Sequence, residues 1–143
     1  MYLCFMLPPQ DEPYNQLCFY TLSHPDPAFI HQHAVDAYIA QTAGTGTKPI
    51  SIVFALAGLY LLIEKNYTGR QIQQAHQRMA AHKKHWPFIS LPAKRGGITV
   101  TEVVAVPAGP QRDEMIHAWC AAVWEAYGAG REAIVAVTEA LLK

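Results

Sequence analysis

The sequence predicts an all-α fold, a single-domain bundle of about five or six helices around an apolar central helix. Apolar residues recur at helical spacing along most of the chain, and capping patterns, prolines and glycines bound these stretches. There is no internal repeat and no low-complexity segment. A chain of 143 residues is most simply one domain. Since a domain of this size buries roughly 68% of its unfolded surface on folding, a hydrophobic core can form without crosslinks.

The first segment, residues 1–15, is predicted to be irregular because its prolines interrupt regular hydrogen bonding. The next segment, residues 15–22, is apolar and aromatic. Its composition allows either a short helix or a strand, and we favour the helix. The chain then turns at residues 23–27, where prolines and polar residues cluster.

A helix is predicted between Asp26 and Gly44. The Asp26 side chain can accept hydrogen bonds from the first free backbone N–H groups, and Pro27 suits the first helical position because no hydrogen bond is lost there. Gly44 provides the exit, since glycine adopts the left-handed conformation easily. One stripe of this helix carries Ile30, Ala34, Ala37 and Gln41.

The following helix is predicted to lie at the centre of the bundle. It begins at Pro49, runs to about Lys65 and is apolar almost all round, which is typical of a buried helix. A stripe of small residues allows another helix to approach it closely. The small residues are Ser51, Ala55 and Gly58.

A third long helix is predicted from the capping box of Thr68 and Gln71 to about His85, and Pro87 ends it. The apolar side of this helix includes one histidine, His76. The complete inward stripe is Ile72, Ala75, His76, Met79 and Trp86.

The last third of the chain contains one ambiguous segment and two clear helices. Residues 98–106 are rich in β-branched residues, which favours a strand, but Thr99 and Glu102 form a capping box. A lone strand would have no partner, so we predict a short helix there. Helices are predicted over residues 112–127 and 131–142, on either side of a glycine-rich interruption.

Composition excludes several function classes. The formal net charge is zero, so the chain lacks the basic excess of a general nucleic-acid-binding protein. The longest apolar run, from Ile50 to Ile63, is shorter than the ~20 residues that a membrane-spanning helix needs. Three cysteines without a CxxC pair indicate a reducing compartment, and we expect a cytoplasmic protein. Because 51% of residues are hydrophobic and 15% are charged, a homo-oligomer is expected.

The segment from His31 to Gln41 resembles an uncharacterised bacterial family of small helical proteins, known as a domain of unknown function, through its His-x-x-x-Val-Asp-Ala-Tyr motif. The resemblance continues in residues 54–61, 68–76, 86–87, 97–103 and 119–125. It implies a helical fold but no activity. The residues it marks are His31, Val35, Asp36, Tyr38 and Gln41. Many relatives have an N-terminal cysteine cluster suggestive of metal, whereas this chain has a single cysteine there, Cys4.

Three side chains are predicted to form a site between helices: His31, Asp36 and His76. Helical bundles build such sites from inward residues on facing helices, and imidazoles with a carboxylate suit a divalent metal such as zinc, nickel or iron. An unbroken helix cannot direct both His31 and His33 at one ion, because they diverge by about 160°. Further ligand-binding candidates are His33, Tyr38 and Cys18.

The alternative interpretation of the same residues is structural. His76 would be a core histidine bonded to a carbonyl group or to Asp36, and His33 with Asp36 would be a same-helix pair. Tyr38 would be a packed ring whose hydroxyl is hydrogen-bonded.

Three functions follow from these candidates. We predict binding of a metal ion or small ligand between helices. The alternative is a homo-oligomeric or partner-binding module without catalytic activity, with an aromatic interaction surface. A hydrolase with Cys18 or Cys120 as its nucleophile is the third, and no known motif surrounds either residue. The aromatic residues of the second hypothesis are Trp86, Phe88, Trp119 and Trp124.

Overall fold

The computed structural model describes residues 11–23, 26–82 and 85–143, and seven α-helices without a strand make up its regular structure. The helices are α1 Glu12–Ser23, α2 His31–Thr42, α3 Pro49–Lys65, α4 Gly69–Ala80, α5 Val100–Ala105, α6 Pro110–Ala126 and α7 Arg131–Leu141. A 3-10 turn, Gly128–Gly130, joins the last two. The predicted all-α fold is confirmed. The described residues contain seven helices where about five or six were expected, and each of the seven overlaps a segment that the sequence predicts to be helical.

Helix α3 lies at the centre of the bundle, as predicted. It packs against α2, α4, α6 and α7, and its middle residues are almost fully buried. Pro49 occupies the first turn, and Asn66 ends the helix in the left-handed conformation with φ 59°. Within the described ranges, none of the helices combines the length and the apolar character needed to cross a bilayer.

Helix α2 begins at His31, four residues after the predicted start at Pro27. The carboxylate of Asp26 accepts from the backbone N–H groups of Ala28 (3.1 Å) and Ile30 (2.5 Å), so it stabilises a turn and does not cap a helix. Phe29 has a φ of 61°, and this left-handed residue separates the turn from the helix.

The end of α2 also differs from the prediction. The helix stops at Thr42, where Ala43 is extended with ψ 140°, and Gly44 does not have the expected positive φ. The guanidinium group of Arg95 donates to the carbonyl oxygens of Gln41 (3.2 Å) and Ala43. A distant arginine therefore satisfies the end of this helix in place of a glycine turn.

Helix α1 begins earlier than the sequence indicated. Residues 1–10 lie outside the described ranges, but Glu12–Ser23 is helical, which corrects the predicted irregular structure for the last residues of 1–15. The Asp11 carboxylate accepts from the backbone N–H of Tyr14 at 3.1 Å. Pro13 lies in the first turn, where its missing N–H costs no hydrogen bond.

Both predicted capping boxes are present. In α4, Thr68 and Gln71 exchange hydrogen bonds of 3.2 and 2.8 Å. The helix ends at Ala80, before the expected end near His85. In α5, the backbone N–H of Thr99 donates to Glu102 at 2.6 Å, so the β-branched segment is a short helix, as predicted.

Candidate functional site

A cleft of about 420 Å³ opens between α2, α3 and α4. Each helix contributes four side chains at spacings that place them on one face. The lining residues are Gln32, Val35, Asp36 and Ile39 from α2, Ile50, Ser51, Phe54 and Ala55 from α3, and Gln73, His76, Gln77 and Ala80 from α4. The volume falls within the range of small-molecule sites in proteins.

The cleft runs from an exposed rim to a buried floor. Gln77 and Ala80 on α4 are exposed and form part of the rim. Val35, Asp36 and Ala55 are each 1% exposed and form the floor. A small molecule bound at the floor would therefore be largely removed from water.

The floor of the cleft holds a carboxyl group in close contact with α3. Asp36 Oδ1 accepts from Gln32 Nε2 at 3.0 Å, whereas Oδ2 is buried and has no hydrogen-bond partner among the described residues. A Cβ atom on Gly58 would lie 1.9 Å from Oδ2, so the absence of a side chain there creates the space for the carboxyl group. Burial raises the pKa of Asp36 well above its usual value, which favours the neutral form of the carboxyl group.

The second polar group of the cleft is the imidazole of His76. Its Nε2 lies 2.7 Å from the carbonyl oxygen of Phe54, so Nε2 carries the proton and donates it, and Nδ1 is an acceptor. The Phe54 ring stacks on the imidazole with a centroid distance of 5.2 Å. Burial lowers the pKa of His76 to about 4, although the hydrogen bond to Phe54 opposes this shift. The carbonyl-bonded histidine of the structural interpretation is confirmed.

The cleft does not contain an assembled hydrolytic site. Ser51, His76 and Asp36 all line it, but the imidazole is bonded to a backbone carbonyl and the carboxyl group to Gln32. A serine nucleophile needs a direct hydrogen bond to its base, and a third group that orients that base. The arrangement can hold a ligand through hydrogen bonds and apolar contacts.

His31, the third predicted metal ligand, lies in a different environment. It is fully buried, and its Nδ1 lies 2.8 Å from Thr21 Oγ1 on α1. Five helical residues separate His31 from Asp36, so the two side chains diverge by about 140° around the axis of α2. The structure brings Asp36 and His76 to one cleft and directs His31 toward α1.

No group of three or more His, Cys, Asp or Glu side chains within the described ranges is arranged to hold a metal ion. The set His31, Asp36 and His76 therefore does not form one coordination sphere. The geometric reason is that the first of them faces a neighbouring helix on another side of α2.

His33 does not pair with Asp36, contrary to the prediction. It lines a separate surface pocket that also includes Asp26 and Asp113, and its buried Nδ1 has no partner among the described residues. Burial lowers the pKa of His33 to about 4, and the nearby His117 acts in the same direction. Gln32, one helical turn before Asp36, provides the hydrogen bond expected from His33.

The other two ligand-binding candidates also lie outside the cleft. The Tyr38 ring stacks on Tyr14 of α1 with a centroid distance of 3.8 Å. Cys18 is 5% exposed and belongs to the hydrophobic core. Both residues help to attach α1 to the bundle.

Most of the residues that suggested an interaction module or a hydrolase lie in the core. Trp119 and Trp124 are buried, and Phe88 is 87% exposed. Cys120 is fully buried, its Sγ lies 3.4 Å from the carbonyl oxygen of His33, and burial raises its pKa far above the ordinary value. Such a thiol is not a nucleophile at neutral pH.

Most of the cleft lining was not predicted from the sequence. Asp36, His76 and the small residues of α3 were among the predicted features, whereas Gln32, Gln73 and Phe54 were not predicted to be part of a site. A signal was present: Gln32 and Gln73 begin equivalent i, i+3, i+4, i+7 patterns on α2 and α4. Matching those two faces to each other required the packing of both helices on α3.

Residues 11–128 match the model of a family described as a family of unknown function, DUF5946. The match includes α1 to α6 and all twelve residues of the cleft. No curated protein and no solved structure matches the chain.

Proposed function

The chain belongs to the family of unknown function DUF5946, and we propose that it binds a small organic molecule in the cleft between α2, α3 and α4. The observation that carries this proposal is the buried Asp36 carboxyl group with an unpartnered oxygen at the floor of the cleft. A buried polar atom without a hydrogen bond costs about 1–3 kcal/mol. We infer that the cost is tolerated because the packing of Oδ2 against Gly58 holds Oδ1 and the Gln32 amide at the floor of the cleft, where a ligand can contact them.

The cleft also has the composition of a small-molecule site. Val35 and Ala55 at the floor and Ile39 and Phe54 on the walls provide apolar surface, and a few polar side chains lie among them. Such sites are mostly apolar, with a small number of polar groups that set the orientation of the ligand. An organic ligand is favoured over a metal ion because Asp36 and His76 are the only two side chains of the lining that commonly ligate metals, and each already makes a hydrogen bond within the protein.

The test uses indole as an apolar probe and NMR spectroscopy of the full chain labelled at its methyl groups. We expect saturable shift changes at Val35, Ile39 and Ala55, and a rise in melting temperature with indole concentration. Gln77→Trp places a large ring at the exposed rim and should abolish these changes. Gln74→Trp, on the same helix but outside the cleft, is the matched control.

The proposal is wrong if indole leaves the cleft methyl groups unchanged, or if Gln77→Trp has no more effect than Gln74→Trp. Both substituted positions are exposed, so both variants should fold, and circular dichroism verifies this.

A further inference from the structure

We infer that the ligand of this cleft is an uncharged molecule with a carboxamide group on a compact apolar body. The inference rests on the function proposed above and extends it to the chemical class of the ligand. It follows from the absence of countercharges in the lining, the inaccessible oxygen of Asp36 and the polar atoms that remain for a ligand.

The cleft has no charge that could pair with a charged ligand. None of its twelve lining residues is a lysine or arginine. Burial shifts the pKa of both ionisable side chains in the lining toward their neutral forms, upward for Asp36 and down to about 4 for His76. An ion that entered would lose hydration without gaining an oppositely charged partner.

An organic cation is a poor fit for the floor. It would require Asp36 to ionise, and the resulting carboxylate would receive one hydrogen bond, from Gln32. The second carboxyl oxygen is packed over Gly58 and closed off from the cleft. The cation could therefore reach only the oxygen that Gln32 already contacts.

An anion has one favourable feature and one unfavourable feature. The first turn of α3 contributes Ile50 and Ser51 to the wall, and the start of a helix favours negative charge. However, the lining has no lysine or arginine to pair with an anion, and any ionised fraction of Asp36 would repel it. A carbonyl oxygen places partial negative charge near the helix start without a full charge to desolvate.

The remaining polar atoms complement a carboxamide. The Gln32 side chain uses one N–H on Asp36, and its oxygen and second N–H have no partner among the described residues. His76 presents Nδ1 as an acceptor, because Nε2–H donates to Phe54. A carboxamide offers one strong acceptor and two N–H donors, so it can bond to both kinds of group. The apolar walls surround the rest of the molecule.

The test compares three molecules of nearly the same shape: benzamide, benzoate and benzamidine, which are neutral, anionic and cationic at pH 7. Each is titrated into the labelled full chain, and the methyl shifts of Val35, Ile39 and Ala55 report binding. We expect benzamide to bind at least about tenfold more tightly than either ion, because only the ions must lose charge hydration.

A variant identifies the polar contact. Gln32→Leu keeps the approximate size of the side chain and removes its amide, so benzamide affinity should fall about tenfold. Indole does not use an amide contact, and its affinity should change little in the same variant. This comparison separates a lost ligand contact from a damaged cleft, and Gln74→Leu is the control at an exposed position of α4.

The outcomes distinguish the two proposals. If benzoate or benzamidine binds as tightly as benzamide, or if Gln32→Leu weakens benzamide and indole equally, the inferred ligand class is wrong and cleft binding stands. If benzamide and indole both fail to shift the cleft methyl groups, the proposed function itself is wrong. Benzamide that binds preferentially and depends on Gln32 supports both.

Discussion

At the scale of single residues, Gly58 and Asp36 define the floor of the cleft together. The carboxyl group occupies the space that a side chain at position 58 would fill. Glycine in a helix interior costs about 1 kcal/mol relative to alanine. Here the absence of a side chain at Gly58 allows α2 to approach α3, and it leaves room for a polar group in an otherwise apolar contact.

Gly58→Ala should destabilise the protein by roughly 1–2 kcal/mol. The added Cβ would meet the Asp36 carboxyl group, and overpacking of this kind costs about 1–3 kcal/mol, partly offset by the better helix propensity of alanine. Urea unfolding measures the change. In the Asp36→Ala background the same substitution should be neutral or stabilising, and an equal loss in both backgrounds would show that the carboxyl contact is not the cause.

At the scale of secondary-structure elements, Gln41 connects three parts of the chain. Its Nε2 donates to the carbonyl oxygens of Arg95 (3.1 Å) and Ile98 (2.7 Å), and its Oε1 accepts from Trp119 Nε1 at 2.9 Å. These hydrogen bonds attach the segment before α5 to α2 and α6. The segment has no regular structure of its own, so it depends on such contacts.

Gln41→Leu should lower the free energy of unfolding by about 3 kcal/mol. The side chains are similar in size, but the leucine leaves two carbonyl groups and an indole N–H without a partner, each worth about 1 kcal/mol. The midpoint of urea unfolding gives the change. Gln74→Leu, at an exposed position of α4, should stay within about 0.5 kcal/mol of the wild type, and a similar result for Gln41→Leu would contradict the prediction.

At the scale of the whole molecule, buried titratable groups couple stability to pH. The pKa values of His33 and His76 fall from 6.5 to about 4 on folding. Between these values the unfolded chain binds more protons, so each histidine makes stability rise with pH. The pKa of Asp36 is raised on folding, so this group makes stability fall as pH rises above its unfolded value of 3.8. The two histidines together outweigh the one carboxyl group in this window.

His76→Gln should reduce the rise of stability between pH 4 and pH 6.5 by up to about 1.4 kcal/mol per pH unit. Glutamine can still donate to the Phe54 carbonyl but does not titrate. Urea unfolding at several pH values in this window measures both slopes. Parallel curves for the variant and the wild type would mean that the imidazole does not change its pKa on folding.

The homo-oligomer expected from composition stays a prediction. The tryptophans that supported it lie mainly in the core, whereas Phe19 and Phe88 are 75% and 87% exposed. Sedimentation velocity over a wide range of concentrations measures the state of association directly.

Local sequence patterns were sufficient for the helix class, the central position of α3 and the capping boxes at Thr68 and Thr99. The capping boxes depend on interactions within a few residues. The central position of α3 follows from its being apolar on nearly all sides, so that any neighbouring helix can bury it. The resemblance to a family of unknown function was likewise visible in the sequence, and the family match confirms it. Both ends of α2 were predicted incorrectly, because distant groups decide them: Phe29 packs against the start of α4, and Arg95 bonds to the last carbonyls of α2.

The candidate site was harder to predict from the sequence than the helices, because it depends on tertiary packing. A helical pattern shows which residues share a face, but it does not show which neighbour that face meets. Only the positions of α1, α3 and α4 around α2 separate His31 from Asp36 and bring His76 and Gln32 to the same cleft. The raised pKa of Asp36 depends on the same packing, because the carboxyl group is desolvated only when surrounding helices exclude water from it.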